Sequence, residues 1–312
     1  MASILITGGA GFIGFHLQKQ LQLMHHQVVS FDLLANNHIA GHFRQRFMPN
    51  ILHGDIQNDF IQELKVQPEI IVHLAAETGI SGSFHDPKKY YHTNVNGTFN
   101  VLEQCRKNGV KYLIYASSSS VYGPNQAIMH EDSDTSQQLS FYGTTKKMCE
   151  VMIENYCKQF GITAIGLRFF TVYGSLTRPD MAAYKFMKAI DIGEEISLNN
   201  HGNVFRDFTH VSDVVKSIER IIDKIQLQEI GSAQIFNIGY GEPISVKEFA
   251  LSIAKNLNKP LAYKSQDLPV FELESTHSYT EKLQQFIHYK PHCGLEEGVK
   301  EMTTWFKLNR YE

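Results

Sequence analysis

A tyrosine and a lysine four residues apart, in Tyr142-Gly143-Thr144-Thr145-Lys146, have types and spacing suited to proton chemistry. On a helix, positions i and i+4 lie one above the other, so the ammonium can approach the phenol. A neighbouring positive charge favours phenolate over phenol, which makes such a pair a candidate general base toward an alcohol. The spacing alone is weak evidence, because the chain has 14 tyrosines and the same interval recurs at Tyr184 and Lys188. That second pair reads as ordinary helix surface. Upstream of Tyr142, four consecutive serines, Ser117-Ser118-Ser119-Ser120, precede Val121-Tyr122-Gly123. A serine run can be mere linker, but this one follows an apolar run, 111–116, that reads as a buried strand. Open parallel sheets bind ligands at that end of their strands.

The elements that must position these groups begin at the N-terminus. Ser3-Ile4-Leu5-Ile6-Thr7 is a strand that runs into Gly8-Gly9-Ala10-Gly11-Phe12-Ile13-Gly14, then a helical pattern through Leu17, Leu21 and Leu23. Strand, glycine turn and helix together cradle a pyrophosphate at a helix N-terminus. Gly8, Gly11, Phe12, Ile13 and Gly14 are therefore candidate cofactor contacts. A second strand, 27–31, leads to Asp32. A carboxylate there accepts from the adenosine ribose hydroxyls and repels a 2′-phosphate, which favours NAD over NADP; capping the next loop is its alternative role. His53-Gly54-Asp55-Ile56 reads as a strand end near the adenine, with Asp55 and Ile56 as contacts. Residues 59–64 read as a helix and 69–74 as a buried strand, whose end at Leu74, Ala75 and Ala76 leaves room for a flat cofactor. A long helix is expected over 88–107, containing Asn94, and another over 142–160. Residues 162–170 form a further strand, and 171–179 break the alternation and read as an active-site loop. Residues 236–239 read as a last core strand, 245–257 as a capped helix, and Trp305 as core. The repeated strand–helix alternation predicts an α/β, doubly wound parallel sheet.

Composition narrows the function classes. Hydrophobic residues are 43%, charged residues 20%, and the formal net charge is -3 over 312 residues. Lysine and arginine are scattered without a basic stripe, so no nucleic-acid partner is expected. No apolar run approaches the ~20 residues of a spanning helix, so no membrane partner is expected. The residues after Met1 lack a charged n-region and cleavage site, and the four cysteines include no CxxC. Both points fit a cytoplasmic protein with reduced thiols. The 15 histidines show no close ligand spacing, and no metal is expected.

Taken in order, these pieces resemble the extended short-chain dehydrogenase/reductases that act on nucleotide sugars, the NAD-dependent epimerase/dehydratase family. The likeness spans nearly the whole chain. It adds Leu167-Arg168-Phe169-Phe170-Thr171-Val172-Tyr173-Gly174 and Arg206-Asp207-Phe208-Thr209-His210-Val211 to the motifs above. It is strongest to UDP-glucuronate 4-epimerases and capsule-type epimerases, through Gly14-Phe15-His16-Leu17 and Arg178-Pro179-Asp180-Met181-Ala182. The resemblance implies a Rossmann-like NAD-binding domain over 1–170, with 207–240 returning to it. A smaller substrate-binding domain, interleaved with the first, would span 171–312. It implies a tightly bound NAD and a UDP-sugar whose C4 hydroxyl gives its proton to Tyr142, passing through a 4-keto sugar. Lys146 would hold the ribose and sustain Tyr142. Ser118 would hydrogen-bond the reacting oxygen, with Ser119 and Ser120 beside it. Asn94 and Phe170 would join the cofactor contacts, Arg206 would hold the diphosphate, and Thr171 and Arg178 would hold a sugar carboxylate. A bidentate arginine there would restrain a β-keto acid from losing CO2. A homodimer through helices around 88–107 and 142–160, and a role in polysaccharide biosynthesis, also follow by resemblance.

The chain departs from that pattern at three places. Ser81-Gly82-Ser83 stands where the glucuronate enzymes begin with an arginine and a tyrosine, the run after Asp32 is shorter, and Thr276-His277-Ser278-Tyr279 replaces Thr-Tyr-Ala-Asp. The alternative substrates are therefore UDP-glucose or a UDP-N-acetylhexosamine. A dehydratase would carry an Asp-Glu pair, and a decarboxylase a glutamate, where Ser119 and Ser120 stand. A non-catalytic NAD-binding protein would commonly lose the tyrosine or the lysine. As an alternative to binding diphosphate, Arg206 could pair with Asp207; Arg178 could simply anchor its loop.

Overall fold

The computed structural model describes residues 1–33, 51–58, 60–61, 64, 67–124, 126–227 and 233–309. The chain begins with β1 (Ser3–Thr7), α1 (Phe12–Leu23), β2 (Gln27–Asp32), β3 (Ile51–His53) and β4 (Ile70–His73). Two short helices follow, α2 (Ile80–His85) and α3 (Pro87–Tyr90), then a π-helical stretch, Tyr91–Asn96, and α4 (Gly97–Asn108). Next come β5 (Tyr112–Ser118), α5 (Phe141–Phe160), β6 (Thr163–Phe169), β7 (Thr171–Tyr173), α6 (Ala182–Ile192) and β8 (Ile196–Asn199). The remainder is β9 (Phe205–Arg206), β10 (Phe208–His210), α7 (Val211–Leu227), β11 (Ala233–Ile238), β12 (Ile244–Ser245) and α8 (Val246–Leu257), then β13 (Tyr263–Gln266), α9 (Glu281–Ile287) and α10 (Leu295–Asn309).

Seven strands form one parallel sheet in the order β11-β6-β5-β4-β1-β2-β3. The order reverses between β1 and β4, which opens a crevice at the C-terminal ends of those strands. Near-continuous apolar strands such as Ile4-Leu5-Ile6 and Ile70-Ile71-Val72 suit a sheet covered on both faces. One face packs on α1 and α7 through Leu17, Leu21, Val214, Ile218 and Ile222. The other packs on α4 and α5 through Val101, Leu102, Cys149 and Ile153. The architecture is a Rossmann-like doubly wound sheet, as the alternation predicted. A third cluster, with Phe186, Met187, Phe249, Ile253, Val299 and Phe306, joins α6, α8 and α10 away from the sheet. Burial pushes the Cys105 and Cys157 thiols up to about 12 and about 11, so these unpaired cysteines are core groups.

Three local readings change. The helix expected over 88–107 is interrupted by the π-helical turn at Tyr91–Asn96, which turns Asn94 inward rather than toward the crevice. Residues 171–173, read as loop, are a strand paired in parallel with β10, because Val172 and Tyr173 bury there. Tyr184 of the decoy pair packs edge-on against Phe306, whereas Lys188 is exposed. The helix expected over 59–64 includes residues outside those described.

Candidate active site

The serine run and the tyrosine helix meet because of one glycine. Ser140 caps α5, its Oγ accepting from the Gly143 amide at 3.1 Å. A Cβ on Gly143 would run into the Ser120 carbonyl oxygen, so only glycine lets the first turn of α5 settle on the serines. Tyr142 thus stands beside the end of β5. Ser118 closes that strand and its Oγ accepts from the Ser120 amide at 3.1 Å, starting a short 3-10 turn over Ser119–Val121. One helical turn beyond Tyr142, the buried Lys146 donates from Nζ to the Ala116 carbonyl at 2.9 Å.

Behind these groups lies a buried polar lattice. Ser117 Oγ donates to Glu150 Oε1 at 2.6 Å, and Arg168 grips both Glu150 oxygens at 2.8 and 2.9 Å. Burial alone would push the Glu150 pKa up, but the hydrogen bonds and charge of Arg168 hold it below the usual carboxylate range. Burial would pull the Arg168 pKa down, but Glu150 raises it, and Arg168 Nη1 donates to the Glu131 carbonyl at 3.0 Å. On the next strand, His73 bridges Thr7 Oγ1 at 2.7 Å and Thr98 Oγ1 at 3.0 Å. Burial, reinforced by the Lys146 charge, pushes this imidazole down to about 3, so it is neutral near pH 7.

Tyr90 flanks Tyr142 edge-to-face, with ring centroids 6.1 Å apart. Its hydroxyl lies 2.6 and 2.8 Å from the Thr78 and Gly79 carbonyls and shares its proton between them. Burial and then the Glu77 charge push this phenol up to about 12, so it remains a donor. Asn94 fixes the same loop: Oδ1 accepts from the Glu77 amide at 2.8 Å, while Nδ2 donates to the Glu77 carbonyl and to Thr145 Oγ1, both at 3.0 Å.

These groups surround a cavity of about 980 Å³ along the C-terminal edge of the sheet. Gly8, Gly11, Phe12, Ile13, Gly14, Asp32, Asp55, Ile56, Leu74, Ala75, Ala76 and Phe170 line one part of it. Ser118, Ser119, Ser120, Tyr142, Lys146, Thr171, Arg178 and Arg206 line the rest. Asn94 alone among the expected contacts lies off the wall; it is 1% exposed and acts on the loop behind it.

The lining fits a dinucleotide. A Cβ on Gly14 would strike the Gly8 carbonyl, so glycine lets α1 press against the turn and aim its first amides at the cavity. The Gly11 N-cap contributes no side-chain hydrogen bond and the first turn holds no acid, as suits an anion. Asp32 ends β2 at the same wall, with Oδ2 accepting from the Ala10 amide at 2.9 Å.

At the other end both arginines have acidic partners. Arg178 takes both Asp180 oxygens, at 3.1 and 2.9 Å, and also donates to Thr78 Oγ1. Arg206 pairs at 2.8 Å with Glu272, rather than with its neighbour Asp207. Asp207 is buried and accepts from the Tyr240, Gly241 and Ser278 amides at 2.7, 3.0 and 3.1 Å. Sequence reasoning passed over Glu272, Phe271 and Lys185, which line the cavity; no local motif marks them.

The doubly wound sheet and its glycine turn define a dinucleotide-binding fold of the short-chain dehydrogenase/reductase type. Residues 4–239 match the model of the NAD dependent epimerase/dehydratase family, and the chain belongs to that family. It is accordingly an NAD-dependent enzyme of the epimerase class. An uncharacterized protein of Methanocaldococcus jannaschii is 39% identical, with 99% of this chain and 97% of that protein covered. A probable UDP-glucuronate 4-epimerase of Rhizobium meliloti is 32% identical, with 98% of this chain and 97% of that one covered. The UDP-glucuronic acid 4-epimerase of Bacillus cereus, solved with UDP-glucuronic acid and NAD, superposes with a TM-score of 0.90 at 28% identity. That match covers 98% of this chain and 99% of the other.

Proposed function

We propose that the protein interconverts a UDP-sugar and its C4 epimer, with UDP-glucuronate and UDP-galacturonate as the substrate pair. The observation that carries this reading is the shared cavity: the glycine turn, Tyr142, Ser118, Thr171, Arg178 and Arg206 all open onto it. The Rhizobium and Bacillus relatives support the uronate. Bound NAD supplies a hydride acceptor and donor at the sugar carbon. Tyr142 takes the proton from the C4 hydroxyl and later returns it, and Ser118 donates a hydrogen bond to the same oxygen, with Ser119 and Ser120 beside it. Lys146 supports Tyr142 electrostatically and reaches toward the cofactor ribose. Arg206 takes the diphosphate, while Thr171 and Arg178 take the sugar carboxylate. In this division of labour 1–170 and 207–240 hold the cofactor, and 171–312 hold the sugar nucleotide.

A neutral hexose or its N-acetyl analogue is the second reading. It is favoured by the grip of Arg178 on Asp180 and by the small residues Ser81 and Gly82 on the wall. Incubating the enzyme with UDP-glucuronate, UDP-galactose and their N-acetyl analogues, followed by NMR, separates the two. Release of water or CO2 without an epimer would count against both.

We further propose a homodimer through α5 and its neighbours. Tyr91, Phe99, Met148, Val151 and Phe160 leave exposed apolar surface there, at 40%, 47%, 39%, 57% and 45% exposure.

A further inference from the structure

His16 follows the glycine turn on α1 but lies outside the cavity lining. Its ring stands edge-on to both Phe12 and Phe15, with centroids 5.7 and 5.6 Å away. From there Nε2 meets the Ser175 carbonyl at 3.0 Å, across 159 residues of sequence. A carbonyl only accepts, so this nitrogen carries the proton and donates.

Ser175 begins the short run that leads to Arg178, and the chain is fixed there by three elements. The Ser175 amide donates to Glu301 Oε2 of α10 at 3.2 Å, while the Ser175 carbonyl takes the His16 bond. Leu176, 3% exposed, packs with Ala10 of the glycine turn and Phe15 of α1. Its backbone is left-handed, with φ 62°, a conformation unfavourable for leucine that this packing offsets. Thr177 is buried as well, and Arg178 is the first residue after Val172 to line the cavity.

We propose that His16 is a positioning residue for the sugar end of the cavity, because its bond to Ser175 sets where Arg178 stands. This deepens the reading that Arg178 takes the carboxylate of a UDP-sugar, and it rests on that reading. A shift at Ser175 is passed to Arg178 through two buried residues with little room to absorb it. Displacing a substrate-binding group by about 1 Å forfeits much of its contact. The first turn of α1, Phe12 to Gly14, lines the dinucleotide end. One helix therefore holds cofactor and sugar loop in a common frame.

Calorimetric titration in the NAD-loaded Tyr142→Phe enzyme, which does not turn over, compares UDP-glucuronate with UDP. His16→Phe keeps a ring against Phe12 and Phe15 but removes the N–H. It should weaken UDP-glucuronate about five- to tenfold and leave UDP and the NAD content unchanged. His16→Gln keeps an N–H donor and should recover most of that affinity. On top of Arg178→Ala, His16→Phe should cost nothing further, since the two substitutions act on one contact. Unchanged UDP-glucuronate binding in His16→Phe overturns the proposal, as does equal weakening of UDP or loss of NAD. So does an equal loss in His16→Gln, or a full further loss on top of Arg178→Ala. If Arg178→Ala by itself leaves UDP-glucuronate binding unchanged, the assignment of Arg178 to the carboxylate fails first and takes the proposal with it.

Discussion

Proton transfer asks for a phenol that is held in place and for neighbours that cannot compete for the proton. Tyr90 cannot, because its pKa stands at about 12 and its hydroxyl is spent on two carbonyls. His73 cannot either, since its imidazole is buried, neutral and used at both nitrogens. Tyr142→Phe should therefore lower epimerisation by about 10³-fold or more while leaving NAD binding and the melting temperature in place, measured by NMR turnover and thermal unfolding. A loss of folding instead would assign Tyr142 a structural role. Burial holds the folded-state pKa of His73 at about 3, below the ordinary imidazole value of 6.5, so the unfolded chain binds the proton more readily. Its contribution to stability is complete above about 6.5 and is lost as pH falls from there toward about 3. Melting temperature should fall across that window, and the fall should be shallower in His73→Gln.

At the scale of elements, the Tyr142 helix and the serine strand are held in register by buried charges that lie outside the cavity lining. Glu150 ties α5 to β6 through Arg168 and to β5 through Ser117. Both ion-pair side chains are nearly inaccessible, at 2% and 3% exposure. Removing one partner strands the other, so Glu150→Ala should cost about 3–5 kcal/mol in denaturant unfolding. Ser140→Ala, which removes only the cap of α5, should cost about 1 kcal/mol. The π-helical turn at Tyr91–Asn96 performs a similar positioning task, since it brings Asn94 to both Glu77 and Thr145. Periodicity at 88–107 predicted helix but could not reveal this turn, because a single π turn is too short to establish a period of its own.

At the scale of the molecule, Met148, Val151 and Phe160 leave an exposed apolar stripe on α5. Sedimentation should find a dimer, and Val151→Glu, which charges a position 57% exposed, should yield monomers of normal melting temperature. A monomeric unmodified protein would remove the dimer proposal. Among the described residues no helix is long and apolar enough to cross a membrane. The two ends of the cavity are built differently. The glycine turn is one contiguous stretch, Gly8–Gly14, whereas the end that holds Arg178 and Arg206 is assembled from segments far apart in the chain.

That difference explains what could be read from the residues alone. Strand, glycine turn, helix and a carboxylate at the next strand's end are local chemistry, so the sheet, the dinucleotide crevice and the Tyr142 helix are legible in the sequence. The same holds for Lys146 and Ser118, whose neighbours in sequence supply much of their context. The partners of the two arginines were not legible. Glu272 is 66 residues from Arg206, and Thr78 is 100 residues from Arg178. No spacing rule links such residues, because their meeting depends on how the C-terminal elements fold back over the sheet. Contiguous residues thus determined the dinucleotide turn and the Tyr142 helix, while the tertiary structure alone decided which charges already hold its arginines.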